Sequence, residues 1–302
     1  MLHYSEIPKI NPTLHAKNKP FLQKLIAYFF SDYHLKPQIV WFKKLLYCYL
    51  IIECAYFLLY YDLLLGENSI VMVSPKSIGL FKTIPFILYN SLSPNLSLTF
   101  VMLTLGISLF GLFNLRFYFI LDFLLYFLVI NIHNRVYPTL TGGDNLLSQL
   151  LIFNCFLVTN FTNNLLWKDQ LKICFHNFSL LAIVIQVSLL YFLSALAKLN
   201  DPAWFAGTAI SGVAQIQYFS MYSFFTYSEN LRPVFFVLNY VVLFYQLFFP
   251  ILIWIKKVKK PFLIFGVLMH LYIAFVMGLV GFGFIMILAY VFFWPMKEPL
   301  KS

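Results

Sequence analysis

The sequence predicts an all-α fold, a polytopic integral membrane helix bundle of about eight transmembrane helices with an added interfacial or re-entrant segment. Three observations lead there. Of 302 residues, 61% are hydrophobic and 20% aromatic, and only 11% are charged, where a soluble domain carries roughly 25% charged residues. The apolar residues fall into runs of about 18 to 25, the length a helix needs to cross ~30 Å of hydrocarbon, whereas barrel strands are shorter and alternate. The lysines and arginines gather in clusters between these runs. The formal net charge of +10 is therefore read against membrane orientation, and no basic stripe with exposed aromatics remains to support nucleic-acid binding.

Taken in order, residues 1–40 form a cytoplasmic N-terminal and interfacial segment. Met1 to Pro20 is polar, with Lys9, Lys17 and Lys19 and no apolar core, so no cleavable signal is expected. Residues 21–31 are too short to cross and carry Lys24, which fits a helix lying in the interface. A transmembrane domain over 41–295 follows, with a cytoplasmic tail over 296–302.

Span one is expected over 41–65 with Lys43 and Lys44 at its start, span two over 96–113, and span three over 117–132 after a turn at Arg116. An apolar piece over 84–89 precedes span two. The cluster His133-Asn134-Arg135-Val136-Tyr137-Pro138-Thr139-Leu140-Thr141-Gly142-Gly143-Asp144 reads as a tight polar loop. Span four is placed over 145–162, a basic loop over 167–172, and span five over 178–199, ending at Lys198. Residues 207–228, rich in Ser, Gln and Tyr, suit a re-entrant segment lining a cavity. Span six is placed over 233–255, span seven directly after Pro261, and a bend near 278–283 divides 262–295 into two crossings.

With the N-terminus inside and eight crossings, 16 of the 21 basic residues fall in the cytoplasm, leaving Lys76, Lys82, Arg135, Lys198 and Arg232 outside. This satisfies the positive-inside rule with both termini cytoplasmic. The polar loop from His133 and the end of span five then share the extracytoplasmic face. On a helix, Tyr191, Ser194 and Lys198 fall at i, i+3 and i+7, one polar line on an otherwise apolar face. A lysine there either snorkels to the headgroups or belongs to a site, since ionisable residues at membrane depth mark the bundle interior or a water-filled cavity. His270, in the middle of span seven, adds a further group, read either as a site residue or as an imidazole bonded to a neighbouring helix.

Asp122 lies eleven residues before His133, three turns along one face, and either supports the polar loop or pairs with another helix. Cys48, Cys54, Cys155 and Cys174 have no CxxC spacing and read as buried thiols. No metal site is evident, and neither Ser-His-Asp nor phosphate-loop spacing occurs.

Tyr191-Phe-Leu-Ser-Ala-Leu-Ala-Lys198-Leu with Trp204 and Gly207 resembles the corresponding stretch of vitamin K-dependent gamma-glutamyl carboxylases and the wider horizontally transferred transmembrane (HTTM) family. His133-Asn134-Arg135 with Gly142-Gly143-Asp144 is similar to that family's HNR and GGD pattern, and Met269-His270-Leu271 to its last characteristic block. The resemblance implies that Lys198 is a base acting on a quinol or vitamin K-like hydroquinone and that His133 is also involved; His133 and His270 are expected to handle or position protons. Asn134, Arg135, Asp144, Tyr191 and Trp204 are expected to bind substrate, and the opposite charges of Arg135 and Asp144 to form an ion pair that shapes the loop.

Neutral lysine is required of such a base, and burial favours the neutral form. The sequence departs from the animal carboxylases by one extra residue between Lys198 and Trp204, and has Gln246 where an acid is expected in many relatives. Its length implies a compact member without the lumenal domain, similar to the membrane protein that helps mature a sporulation-delaying peptide toxin.

The expected function is base chemistry at the extracytoplasmic face on a quinone-like lipid, a secreted peptide, or both, in a bacterial cytoplasmic membrane. Expected partners are the lipid bilayer and a small secreted peptide or its precursor. A non-catalytic maturation or immunity partner of such a peptide is the alternative. A transporter is disfavoured, because no inverted repeat is visible and the polar residues gather at one face.

Overall fold

A computed structural model describes residues 20–67, 69–71, 93–116, 118–161, 166–216 and 229–296. Every regular element among the described residues is helical: α1 (Phe21–Phe30), α2 (Lys36–Leu59), α3 (Tyr61–Leu64), α4 (Pro94–Phe113), α5 (Phe119–Arg135), α6 (Gly142–Asn154), α7 (Trp167–Leu199), α8 (Pro202–Phe205), α9 (Ala209–Ala214), α10 (Arg232–Leu252), α11 (Lys256–Phe275) and α12 (Val280–Ala289). Short 3-10 turns follow α5, precede α10 and extend α12. The expected polar N-terminus over 1–19, the piece over 84–89, the stretch over 217–228 and the tail over 297–302 lie outside the described residues.

Four helices, α4, α7, α10 and α11, are long and apolar enough to cross a membrane. Their outward faces agree, since large apolar side chains such as Phe113, Val237, Ile251 and Leu268 stand exposed, an arrangement that a water-soluble surface of this extent would not sustain. α2 has the length, ~36 Å at 1.5 Å per residue, but carries Lys36, Lys43, Lys44 and Glu53.

Packing distributes these helices around one large core. α2 lies along α4, α7 along α10, and α11 folds back on α12; α5 bridges α4 and α6, and α6 packs on α12. Phe42, Leu46 and Leu50 of α2 meet Leu125 and Val129 of α5, Leu147 and Leu150 of α6, Val187 and Tyr191 of α7, Phe249 of α10 and Met286 of α12 in one buried cluster. A second cluster, including Cys54, Phe57, Phe100, Leu128 and Ile132, seals α2 against α4 and α5. Apolar burial is not the force that joins helices in lipid, so close packing and the hydrogen bonds between them carry the association.

Several sequence boundaries move. α6 starts at Gly142, not after Asp144, because Thr141 and Asp144 form a capping box: the Thr141 side chain accepts from the Gly143 N–H, and Asp144 Oδ2 accepts from the Thr141 N–H at 2.6 Å. That reciprocal pair satisfies donors which a helix start leaves open. α6 is only 13 residues long, about 20 Å, shorter than the span expected over 145–162, and it runs back along α5 from the level of His133 to that of Asp122. α7 begins at Trp167 and runs 33 residues, so the supposed basic loop is its first turn and a half, with Lys172 paired to Asp169 at 3.1 Å. α11 likewise begins at Lys256, and Pro261 lies within it. The expected bend after α11 is present: Gly278 takes a φ of 76°, a conformation suited to glycine, and α12 turns back beside α11.

The α1 helix is pinned to α7 rather than free. Asn177 Nδ2 donates to the carbonyls of Tyr28, Phe29 and Asp32, its Oδ1 accepts from the His34 N–H, and His176 Nε2 contacts the His34 carbonyl. Side-chain amides here satisfy the open C-terminal carbonyls of α1.

Candidate functional site

The sequence-predicted site residues fall into three groups. The first lies at the end of α7. Lys198 is half-buried; its Nζ donates to Ser194 Oγ at 3.4 Å and stands 5.2 Å from the Trp204 ring centroid. The polar line predicted from Tyr191 through Ser194 to Lys198 is thus realised on one helical face. Trp204 is held in place because α8 is stitched to α10: Asn239 Nδ2 donates to the Trp204 carbonyl at 2.9 Å and the Tyr240 hydroxyl to the Phe205 carbonyl at 2.8 Å. Gly207 closes this turn with a φ of 74°, and a Cβ there would meet the Phe236 ring at 2.5 Å. No carboxylate pairs with Lys198 among the described residues.

Two turns down the same helix lies the second group, sealed from the surface. Tyr191 OH stands 2.7 Å from His270 Nε2 and 2.5 Å from Tyr290 OH, which in turn stands 2.8 Å from Tyr245 OH. Tyr191 and Phe249 stack at 4.3 Å between ring centroids. Four helical segments contribute to this chain of three phenols and one imidazole, and its end is open: His270 Nδ1 is buried with no partner among the described residues. Gly266 makes room for the chain, because a Cβ there would fall on the Tyr245 and Tyr290 hydroxyls. Sequence reasoning found Tyr191 and His270. It missed Tyr245 and Tyr290, two among 20 tyrosines, although Tyr245 lies beside the noted Gln246.

The third group joins α2, α5 and α6. His133 Nε2 stands 2.9 Å from Glu53 Oε1, and Asp144 completes a trio whose ligand atoms all lie within 4.8 Å of one another. His133 is 3% exposed. Such a set of imidazole and carboxylates is one that could hold a metal ion. Thr141 anchors Asp144, donating from its N–H and, at 2.8 Å, from its hydroxyl.

The expected ion pair between Arg135 and Asp144 does not form. Arg135 Nη1 donates instead to the Val71 carbonyl at 3.4 Å, while Asp144 caps α6. The physical reason is local: the Asp144 carboxylate is already taken by the helix start, where both hydrogen bonds and the macrodipole favour an anion. Asn134 presents a buried Nδ2 without a partner among the described residues. No contact links Lys198 to His133, Asn134, Arg135 or Asp144 among the described residues; the contacts of Lys198 are local to α7 and α8.

A fourth polar group was not anticipated. Lys43, expected at the cytoplasmic start of span one, is fully buried, and its Nζ meets Asp122 Oδ2 at 2.8 Å. Asp122 Oδ1 accepts from the Tyr47 hydroxyl at 2.9 Å and from Asn154 Nδ2 at 3.0 Å. Of the two readings of Asp122, pairing with another helix is the one observed. This group and the Glu53 trio are built by the same three helices, ten residues apart on α2, eleven on α5 and ten on α6, a separation of about 15 Å.

Fold and buried polar groups together define a class: a helical protein with four membrane-crossing candidates and ionisable side chains gathered between its helices. No family model matches the sequence, and no curated protein or solved structure is significantly similar to it.

Proposed function

We propose that this chain is a compact HTTM-like membrane enzyme that performs base chemistry on a quinone-like lipid, a secreted peptide, or both. In this reading α2, α5, α6 with the residues 155–161 after it, and the α11–α12 hairpin also enter the membrane, so that eight passes leave both termini cytoplasmic and the Lys198 end of α7 at the extracytoplasmic face of a bacterial cytoplasmic membrane.

One observation carries the proposal: a lysine at the end of a long apolar helix is held by a hydroxyl and an indole ring with no carboxylate partner among the described residues, two turns above a buried His–Tyr–Tyr–Tyr chain. A lysine paired to a carboxylate would be fixed as ammonium; one held by Ser194 and Trp204 can lose its proton at lower cost. Its role is to take a proton from an acidic O–H of the substrate. The phenol and imidazole chain beneath offers hydroxyls that both donate and accept, and the open His270 Nδ1 gives it a terminus for a proton or a substrate oxygen. Trp204 presents an apolar ring against which a flat quinol could lie.

The test separates chemistry from scaffold. Lys198→Arg keeps the cation but cannot deprotonate near neutral pH, so at matched abundance it is expected to be as inactive as Lys198→Ala in restoring the phenotype of a deletion strain. An active arginine variant would eliminate the base and leave a non-catalytic peptide-maturation or immunity partner as the function.

A further inference from the structure

We propose that Glu53, His133 and Asp144 form a binding site for one divalent transition-metal ion, of the Zn2+ class, clamped between α2, α5 and the start of α6. The proposal is independent of the chemistry assigned to Lys198, whose contacts are made by α7 and α8.

Geometry is the first argument. Three side chains far apart in sequence, from three different helices, converge with ligand atoms inside 4.8 Å, and the His133–Glu53 edge is already 2.9 Å. Metal–ligand bonds of about 2.0–2.2 Å place neighbouring ligand atoms roughly 3–4 Å apart, so the Asp144 edge closes by small side-chain rotations. The second argument is charge. Two carboxylates meet one imidazole in a largely buried place, and neither Glu53 nor Asp144 has a lysine or arginine partner among the described residues. Even a protonated His133 leaves one negative charge over, which a divalent cation would balance.

Rigidity is the third. Asp144 is oriented by the Thr141 N–H and hydroxyl, and such outer hydrogen bonds are what aim a ligating carboxylate. Two carboxylate oxygens and one imidazole nitrogen suit zinc or its neighbours, as calcium and magnesium prefer all-oxygen sets. Three protein ligands would leave a position for water or a substrate oxygen. Thr104 of α4 and the apolar Phe57, Val129 and Ile132 border the Glu53–His133 pair, limiting access to small ligands.

The full chain, purified in detergent and stripped with a chelator, would be titrated with Zn2+ by calorimetry, with bound metal counted by mass spectrometry after desalting. One equivalent is expected, with affinity reduced at least tenfold by Glu53→Gln and by Asp144→Asn. Glu53→Gln preserves shape and a hydrogen bond to His133, so it keeps the test decisive should His133→Ala fail to fold. Co2+ in place of Zn2+ should give visible absorption bands that vanish in Glu53→Gln. Less than a tenth of an equivalent bound, or zinc binding that survives both carboxylate substitutions unchanged, would overturn the proposal, the second outcome assigning the metal to other side chains. All readouts are of binding, so they stand or fall separately from the Lys198 tests.

Discussion

Replacing Lys43 by methionine tests whether the buried polar group joining α2, α5 and α6 holds the bundle together. Lys43 Nζ and Asp122 Oδ2 are 2.8 Å apart, with side chains 0% and 4% exposed. At an effective dielectric constant of about 20, two unit charges at that distance attract by roughly 6 kcal/mol, but removing both from water consumes much of this, so the pair as a whole adds little net stability. Breaking it is another matter. In Lys43→Met the stem volume is nearly kept, while Asp122 Oδ2 loses its donor and retains only Tyr47 and Asn154, both on Oδ1. The expected loss is about 3–5 kcal/mol.

Asp122→Asn should cost a comparable amount by stranding the ammonium. The double variant should recover about 2 kcal/mol or more relative to the sum of the singles, because neither charge remains. Unfolding in detergent micelles, followed by tryptophan fluorescence against denaturant, measures all three. Additive single effects, or a Lys43→Met protein within about 1 kcal/mol of the parent, would refute the reasoning.

Three further outcomes follow from other contacts. Gly266→Ala puts a methyl group onto the Tyr245 and Tyr290 hydroxyls, so it should destabilise by about 1–3 kcal/mol in the same unfolding assay and disrupt the buried phenol chain. Asn177→Leu removes four hydrogen bonds to the α1 end and should release α1, seen as faster proteolysis near residue 30 with α7 otherwise intact. In a cysteine-free background, Leu140→Cys and Ala203→Cys should be labelled only from outside and Val258→Cys only from inside; labelling of 203 from the cytoplasm would place the Lys198 site in the wrong compartment.

Composition and run length made the membrane class legible, because those properties are sums over many residues. The apolar lengths of α4, α7 and α10 and the break at Gly278 were legible for the same reason, and the Tyr191–Ser194–Lys198 line because it is local to one helix. The starts of α6, α7 and α11 were lost to polarity. Charged first turns look like loops until their side chains are seen to cap or pair, although Thr141-x-x-Asp144 is a capping signal that the sequence does display. Pairings across helices were out of reach: Lys43 finds Asp122 across 79 positions and His133 finds Glu53 across 80, and nothing in short-range spacing encodes them. Arg135 and Asp144, neighbours in sequence, were joined by charge alone, and the helix start outcompeted the guanidinium.

The burial of Lys43 also bears on how the chain enters the bilayer. On the proposed crossing of α2, this segment leaves the ribosome before α5, with Lys43 and Glu53 still without their partners, and a lysine within a span opposes insertion, by roughly 2.5–3.5 kcal/mol at the helix centre and by less toward its end. Its counter-charge on α5 is synthesised about 79 residues later, several seconds at common elongation rates. During that interval α2 would be held by the insertion machinery or rest at the interface, and the arrival of α5 would draw both helices in as a neutralised pair. Biogenesis of this chain would then proceed by pairs of helices, and a cysteine in α2 should stay open to water-borne thiol reagents in a nascent chain truncated before Asp122 and be protected in one truncated beyond Asn154.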